Sequence, residues 1–337
     1  MRFIYLLIIT FSTLLSADPI DEQLQEAKDY LTVKPSKSYE ILTKLQQNIG
    51  LTTQQQIDLN ILIARAALPL DKLDELYLAV EGLFEHHNHP YFTENITTVT
   101  SALGIWLRKN NYLEDAQLSF ECSYQHAKND RLKLILNNSL ALVVREVNNL
   151  ERAKSLFEYS FKLAKASRNV NMMGMISHNL GLIALEQGQI SVAEQRFRDA
   201  LEYFTSINKR AGNINTGTYL LLTFVIQEQL TNFQRLYAPI SRKAEAFPNE
   251  RSHALLTWVH ARYLDLKEQK PSAAERTKLL QKFAYIVDYR EQMVVEKYLA
   301  QPMGILLAVE VPKVQSSRFD APWFAYVKSC NFNQKIS

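Results

Sequence analysis

An alanine followed four residues later by a phenylalanine recurs in register three times, at Ala116 and Phe120, Ala153 and Phe157, and Ala193 and Phe197. The alanines are separated by 37 and then 40 residues, and the phenylalanines repeat both spacings. Twelve residues before each alanine stands a small residue, Gly104, Ala141 or Gly181, preceded by Leu103, Leu140 or Leu180. Asn111, Asn148 and Gly188 fall at one shared point between them. Small residues mark where two helices can approach closely, and the leucine and phenylalanine fill the space around them. Asn and Gly tolerate the left-handed conformation that a tight turn requires. Each unit therefore reads as a helical hairpin. A lone hairpin cannot bury its apolar face, so it must stack on a copy of itself.

The rest of the chain is compatible with that reading. Only 9 Gly and 10 Pro occur in 337 residues, too few for a chain of frequent β turns. Good helix formers dominate, and 47% of residues are hydrophobic, enough for a continuous core. Poorer pairs of amphipathic runs flank the clear ones. Residues 21–48 break at Val33-Lys34-Pro35, and residues 53–87 divide near Pro69. Two further pairs are expected over Thr216 to Lys243 and Ser252 to Phe283, the last with Ala261 and Ala273 at the same spacing of twelve. A final helix near Tyr289 to Leu299 is expected to cap the stack. The expected fold is all-α, a solenoid of about seven antiparallel helix pairs with a capping helix and an irregular tail. The organisation expected is a leader over 1–17, weaker repeats over 18–94, clear repeats over 95–207, weaker repeats and the cap over 208–310, and a non-repeat tail over 311–337.

The clear units resemble the tetratricopeptide repeat (TPR), which has Leu-Gly in its first helix, Gly or Asn at the turn and Ala-x-x-x-Phe in its second. The repeat length here exceeds the usual 34 residues of that family, and its final proline is missing from all three units. The resemblance implies a right-handed superhelix whose concave face is lined by the first, or A, helix of each pair. Carried onto this chain, that face comprises Ser101, Ile105, Arg108 and Lys109, then Asn138, Leu142, Arg145 and Glu146, then His178, Leu182, Leu185 and Glu186. It would present an apolar row, Ile105-Leu142-Leu182, beside a polar row, Ser101-Asn138-His178. Such a surface suits an extended or helical protein segment, and Arg108 and Arg145 could grip a carboxylate.

Export is expected from the first residues. Met1-Arg2 gives a basic start, Phe3 to Leu15 is almost wholly apolar, and Leu15-Ser16-Ala17 offers a small-residue cleavage site. That run is shorter than the ~20 residues of a spanning helix, and no later segment reaches that length. The expected location is periplasmic or secreted, with no transmembrane segment after cleavage. Cys122 and Cys330 admit one disulfide or, more simply, two buried free thiols.

Chemistry has little purchase. The net charge of +3 is not gathered into a basic stripe, which argues against nucleic acid. His86, His87 and His89 form the only histidine cluster, but neighbours on one short stretch seldom converge on one ion, so they are read as a solvated loop and no metal or other cofactor is expected. No zinc-protease motif, nucleophile elbow, phosphate loop or dinucleotide fingerprint occurs. Glu114-Asp115 suit the positive end of a helix rather than acid-base catalysis. The aromatic stretch Trp323-Phe324-Ala325-Tyr326 is read as a hydrophobic plug, with partner docking as the other reading. The chain is expected to be a non-enzymatic scaffold that binds a protein or peptide, in association with an envelope or membrane protein. The alternative is a periplasmic ligand-sensing module that reports to a membrane signalling protein.

Overall fold

The structure, a computed structural model, describes residues 18–311 and 318–332. The expected leader, residues 1–17, and residues 312–317 and 333–337 of the tail lie outside the described residues. Seventeen α-helices and no strands occur among the described residues. These residues fall into two compact units, one of 18–106 with 321–332 and one of 107–311 with 318–320.

The first unit contains α1 (Pro19–Val33), α2 (Pro35–Leu45), α3 (Thr53–Ala67), α4 (Leu73–Phe84), α5 (Pro90–Glu94) and most of α6 (Ile96–Lys109). Lys34 separates α1 from α2, where the sequence predicts the break. Thr52 caps α3 through a reciprocal box with Gln55, which satisfies two otherwise orphaned amides. The tail returns to this unit as the short helix α17 (Phe324–Ser329). Trp323 stacks on Phe84 at 4.2 Å, His87 lies against Tyr326 at 4.3 Å, and Phe332 meets Phe92 at 5.9 Å. The aromatic tail thus packs within its own unit, against the end of α4 and α5. His87 is further tied by Nδ1 to the Phe84 carbonyl at 2.9 Å, and His89 Nδ1 accepts from the Tyr91 amide as the cap of α5.

The second unit starts at the end of α6. It continues through α7 (Leu113–Gln125), α8 (Asp130–Glu146), α9 (Leu150–Ala166), α10 (Val170–Glu186), α11 (Ile190–Ser206), α12 (Arg210–Ile226), α13 (Leu230–Glu245), α14 (Glu250–Leu266), α15 (Ala273–Phe283) and α16 (Tyr289–Val295). The A helices α8, α10, α12 and α14 are each 17 residues long and begin at 130, 170, 210 and 250. The repeat therefore runs at a strict 40 residues through four copies, two of which begin earlier than the sequence reading placed them. The turn inside each pair is left-handed at the same place in every copy. Asn148, Gly188, Glu228 and Glu268 have φ of 64°, 72°, 55° and 64°. Asn129, Asn169 and Asn249 cap three of the A helices by accepting from the amide three residues on, at 3.0, 3.1 and 2.8 Å.

Ala116, Ala153, Ala193 and the three phenylalanines are almost wholly buried. A β-carbon on Gly181 would stand 2.6 Å from Phe197 Cε1, so the ring fills the space that glycine leaves. The next pair solves the same problem with other residues. Phe233 takes the place of the alanine, and Ile240 presses on Gly217. After α16 comes a single π-helical turn, Glu296–Ala300. Val295, Leu299, Ala300 and Met303 join the core of the last pairs. At the other end of the unit, Asp115 is buried and accepts from Arg318 Nε at 2.9 Å and from the Phe319 amide at 2.7 Å. Glu114 also pairs with Arg318. This acidic pair holds the tail at Arg318 and Phe319 besides opening α7. Neither Cys122 nor Cys330 is a free thiol, which corrects the simpler of the two readings of the cysteines.

Candidate functional site

The A helices of the second unit carry most of the residues assigned to a binding face. Ser101 and Ile105 belong to the first unit, on α6, and both are half-buried. Lys109 is exposed at the end of α6. The other nine lie in the second unit on α6, α8 and α10.

The charged members pair with one another. Arg108 donates to Glu146 at 2.7 Å, and Arg145 donates through Nε to Glu186 at 3.0 Å. Each arginine thus reaches the acid on the next A helix, one position further along in the repeat frame. Burial raises the Glu146 pKa, and Arg108 opposes the shift. Arg108 and Arg145 therefore rivet successive pairs together, rather than standing free for a partner's carboxylate.

The C-terminal part of the unit completes this arrangement. Helix α16 lies over the A helices instead of ending the chain beside them. Arg290 donates to Glu186 at 2.9 Å and also reaches the Glu146 carbonyl and Asn148 Oδ1, each at 3.4 Å. Glu291 accepts from Arg251 at 2.7 and 2.9 Å and from the Tyr219 hydroxyl at 2.7 Å. Burial raises the Glu291 pKa, with Arg251 and Tyr219 opposing, and burial followed by the Glu291 charge drives the Tyr219 pKa well up. Leu182, Leu185, Glu186 and Arg145 line a cavity of about 60 Å³ beneath α16. The chain itself covers this half of the expected face.

The other half is open. A cleft of about 500 Å³ runs along the N-terminal halves of α10, α12 and α14 and is bounded by Leu142 in the C-terminal half of α8, within the size range of small-ligand sites. Leu142 and His178 line it, joined by Met175, Phe204 and Phe247 as apolar walls. Its polar lining is chiefly amide and cation: Asn171, Asn179, Asn215, Lys209 and Arg251. Among the described residues that line it there is no Asp or Glu. The side-chain oxygen of Asn171 is buried with no hydrogen-bond partner, and so is that of Asn138 on α8.

His178 organises the floor. It is buried, and desolvation, aided by Arg145 and Arg251, lowers its pKa to about 3, so the ring is neutral. Asn215 Nδ2 donates to His178 Nε2 at 3.2 Å, which leaves the proton on Nδ1 to be donated to Thr216 Oγ1 at 3.0 Å. Asn215 Oδ1 in turn faces Arg251 Nη1 at 3.5 Å. The relay runs from α14 through α12 to α10 and fixes both the tautomer and the Asn215 amide. Sequence reasoning missed Asn179, Lys209, Asn215, Arg251 and the α16 pair. The signal that finds those on the A helices is the 40-residue frame itself, carried past residue 207.

No family model matches the chain, and no curated protein sequence matches it. Solved structures do. The structure of the Rap conjugation gene regulator of the plasmid pLS20, in complex with the Phr* peptide, matches with a TM-score of 0.58 and 11% identity, over 92% of this chain and 93% of that one. Pseudomonas aeruginosa pilF matches with a TM-score of 0.50 and 14% identity, over 72% of this chain and 98% of that one. At these identities the likeness is one of fold. The fold is that of a TPR-like helical solenoid, in agreement with the resemblance of the repeat residues.

Proposed function

We propose that the chain is a non-catalytic scaffold of the cell envelope that binds a protein or peptide through the A-helix face of its TPR-like repeats. The observation that carries this reading is the open cleft across four successive A helices. It pairs apolar walls with the amide of Asn171, whose side-chain oxygen has no hydrogen-bond partner within the chain, a combination suited to an extended backbone. Its two cations and lack of carboxylates favour a neutral or acidic segment over a basic one. The Rap regulator of similar fold, solved with a peptide, supports the class of ligand. The envelope location is supported by the residues of the leader, and no helix among the described residues is long and apolar enough to cross a membrane.

Pull-down from an envelope fraction tests the reading, comparing the wild type with Asn179→Ala plus Lys209→Glu. Loss of a specific partner in the variant, with unchanged thermal unfolding, is expected. Retention of every partner would place the binding surface elsewhere. The sensor alternative makes a different forecast: a small metabolite or cell-wall fragment would raise the melting temperature while no protein is recovered. Export is tested by fractionation, in which the mature chain should begin at or next to Asp18 outside the cytoplasm.

A further inference from the structure

One side chain belongs to two sites. Arg251 lines the open cleft, and it also lies in the covered cavity beneath α16, where it holds Glu291. The two partners differ in access. The Arg251 side chain is 39% exposed, whereas that of Glu291 is 2% exposed, so a ligand in the cleft can reach the cation but not the anion.

The charges around the covered cavity divide by origin. The A helices supply Arg145, Glu186 and Arg251, and the α16 segment supplies Asp288, Arg290 and Glu291. The first set carries a net positive charge and the second a net negative one, and they balance only while α16 lies in place. Glu291 relies on Arg251 and the Tyr219 hydroxyl alone for its side-chain hydrogen bonds. A buried carboxylate deprived of its arginine is strongly destabilised, so it must move to water or take up a proton. A π turn follows α16 directly, and such turns are rare and recur at functional sites.

We propose that α16 is a strap released by ligand: a peptide carboxylate in the cleft draws the Arg251 guanidinium away from Glu291, and the first turn of α16 lifts from Tyr219 and Glu186. Lifting uncovers Leu182, Leu185 and Glu186, so occupation of a small cleft opens a larger docking face on the same A helices. This mechanism rests on the peptide-binding reading and adds to it a chemical trigger and a moving part.

Hydrogen exchange on the full chain tests it. The probes are two equimolar pools of N-acetylated pentapeptides, one with free C-terminal acids and one with C-terminal amides. The acid pool should slow exchange around residues 211–216 and speed it at least tenfold over 289–300, and the amide pool should leave 289–300 unchanged. Glu291→Gln keeps the Tyr219 bond but weakens the Arg251 pair. It should speed exchange over 289–300 without ligand, and the acid pool should add little more. If a pool protects the cleft while 289–300 keeps its rate, the strap is static and the proposal falls while peptide binding stands. If neither pool protects any A helix, the binding reading and the proposal fall together. If Glu291→Gln leaves exchange over 289–300 unchanged, Arg251 does not hold the strap, and the proposal is overturned whatever the peptides do.

Discussion

Replacing His178 by Gln should change how stability responds to pH. In the folded chain the imidazole stays neutral down to about pH 3, while in the unfolded chain it titrates near 6.5. Between these values the unfolded state binds a proton that the folded state cannot, so stability falls as pH falls. The contribution is fully present above about pH 6.5 and is lost progressively toward the folded value. From pH 7.5 to pH 5 the unfolded state gains about 2 kcal/mol from this one group. His260, also lowered by burial, acts in the same direction, while Glu146 and Glu291, raised by burial, act in the opposite one. These terms are common to wild type and variant, so the difference between them isolates His178. Urea unfolding followed by circular dichroism at fixed pH gives the two curves, read as midpoints at constant m. The wild type should lose about 2 kcal/mol more than the variant across that interval. Parallel curves would mean that His178 takes up its proton equally in both states, and the neutral relay from Arg251 to Thr216 would be wrong.

The exchange of a small for a large residue at Gly217 and Ile240 predicts coupling. Ile240→Ala should cost about 3 kcal/mol by leaving a cavity, and Gly217→Ser about 1–3 kcal/mol by overpacking. The double variant places Ser and Ala at the positions where the preceding copy has the buried residues Ser177 and Ala200, and should be better than additive by about 1 kcal/mol or more. Strict additivity in urea unfolding would count against this packing. Glu186→Gln removes the negative charge shared by Arg145 and Arg290, both less than 20% exposed. It should destabilise the chain by about 3 kcal/mol, a loss that 0.5 M salt should reduce only slightly. Trp323→Ala removes the stack on Phe84 and should cost about 2 kcal/mol, with faster proteolytic cleavage after Tyr326. An unchanged cleavage rate would show that the tail is held by other contacts.

The repeat was legible wherever its chemistry was conservative. Asn111, Asn148 and Gly188 announce left-handed turns, and all three have positive φ. Ala-x-x-x-Phe gave the close approach of paired helices in three units. The signal failed at α12 and α13 because different residues satisfy the same geometry there. Glu228 adopts the left-handed turn with no sequence cue, and Phe233 replaces the alanine because the volume is redistributed around Gly217 and Ile240. Hence helices that start at Arg210 and Glu250 were expected to begin at Thr216 and Ser252. The candidate face was legible only as a list of positions on the A helices. Which of them pair, as Arg145 and Glu186 do, depends on side-chain reach across neighbouring copies. That α16 covers half the face was not legible, because its bonds to the A helices join residues 40 to 144 positions apart and no local pattern marks them.

Stacked hairpins of one fixed length can gain or lose a copy with little local penalty, since each copy touches only its neighbours. The α16 segment removes that freedom from this chain. Arg290 reaches back past three complete pairs to Asn148, while its neighbour Glu291 meets Tyr219 and Arg251. One 40-residue copy more, or one fewer, would carry these anchor points away from each other. The segment therefore acts as a length gauge, and the number of repeats between α8 and α14 is set by a span that only this count can satisfy.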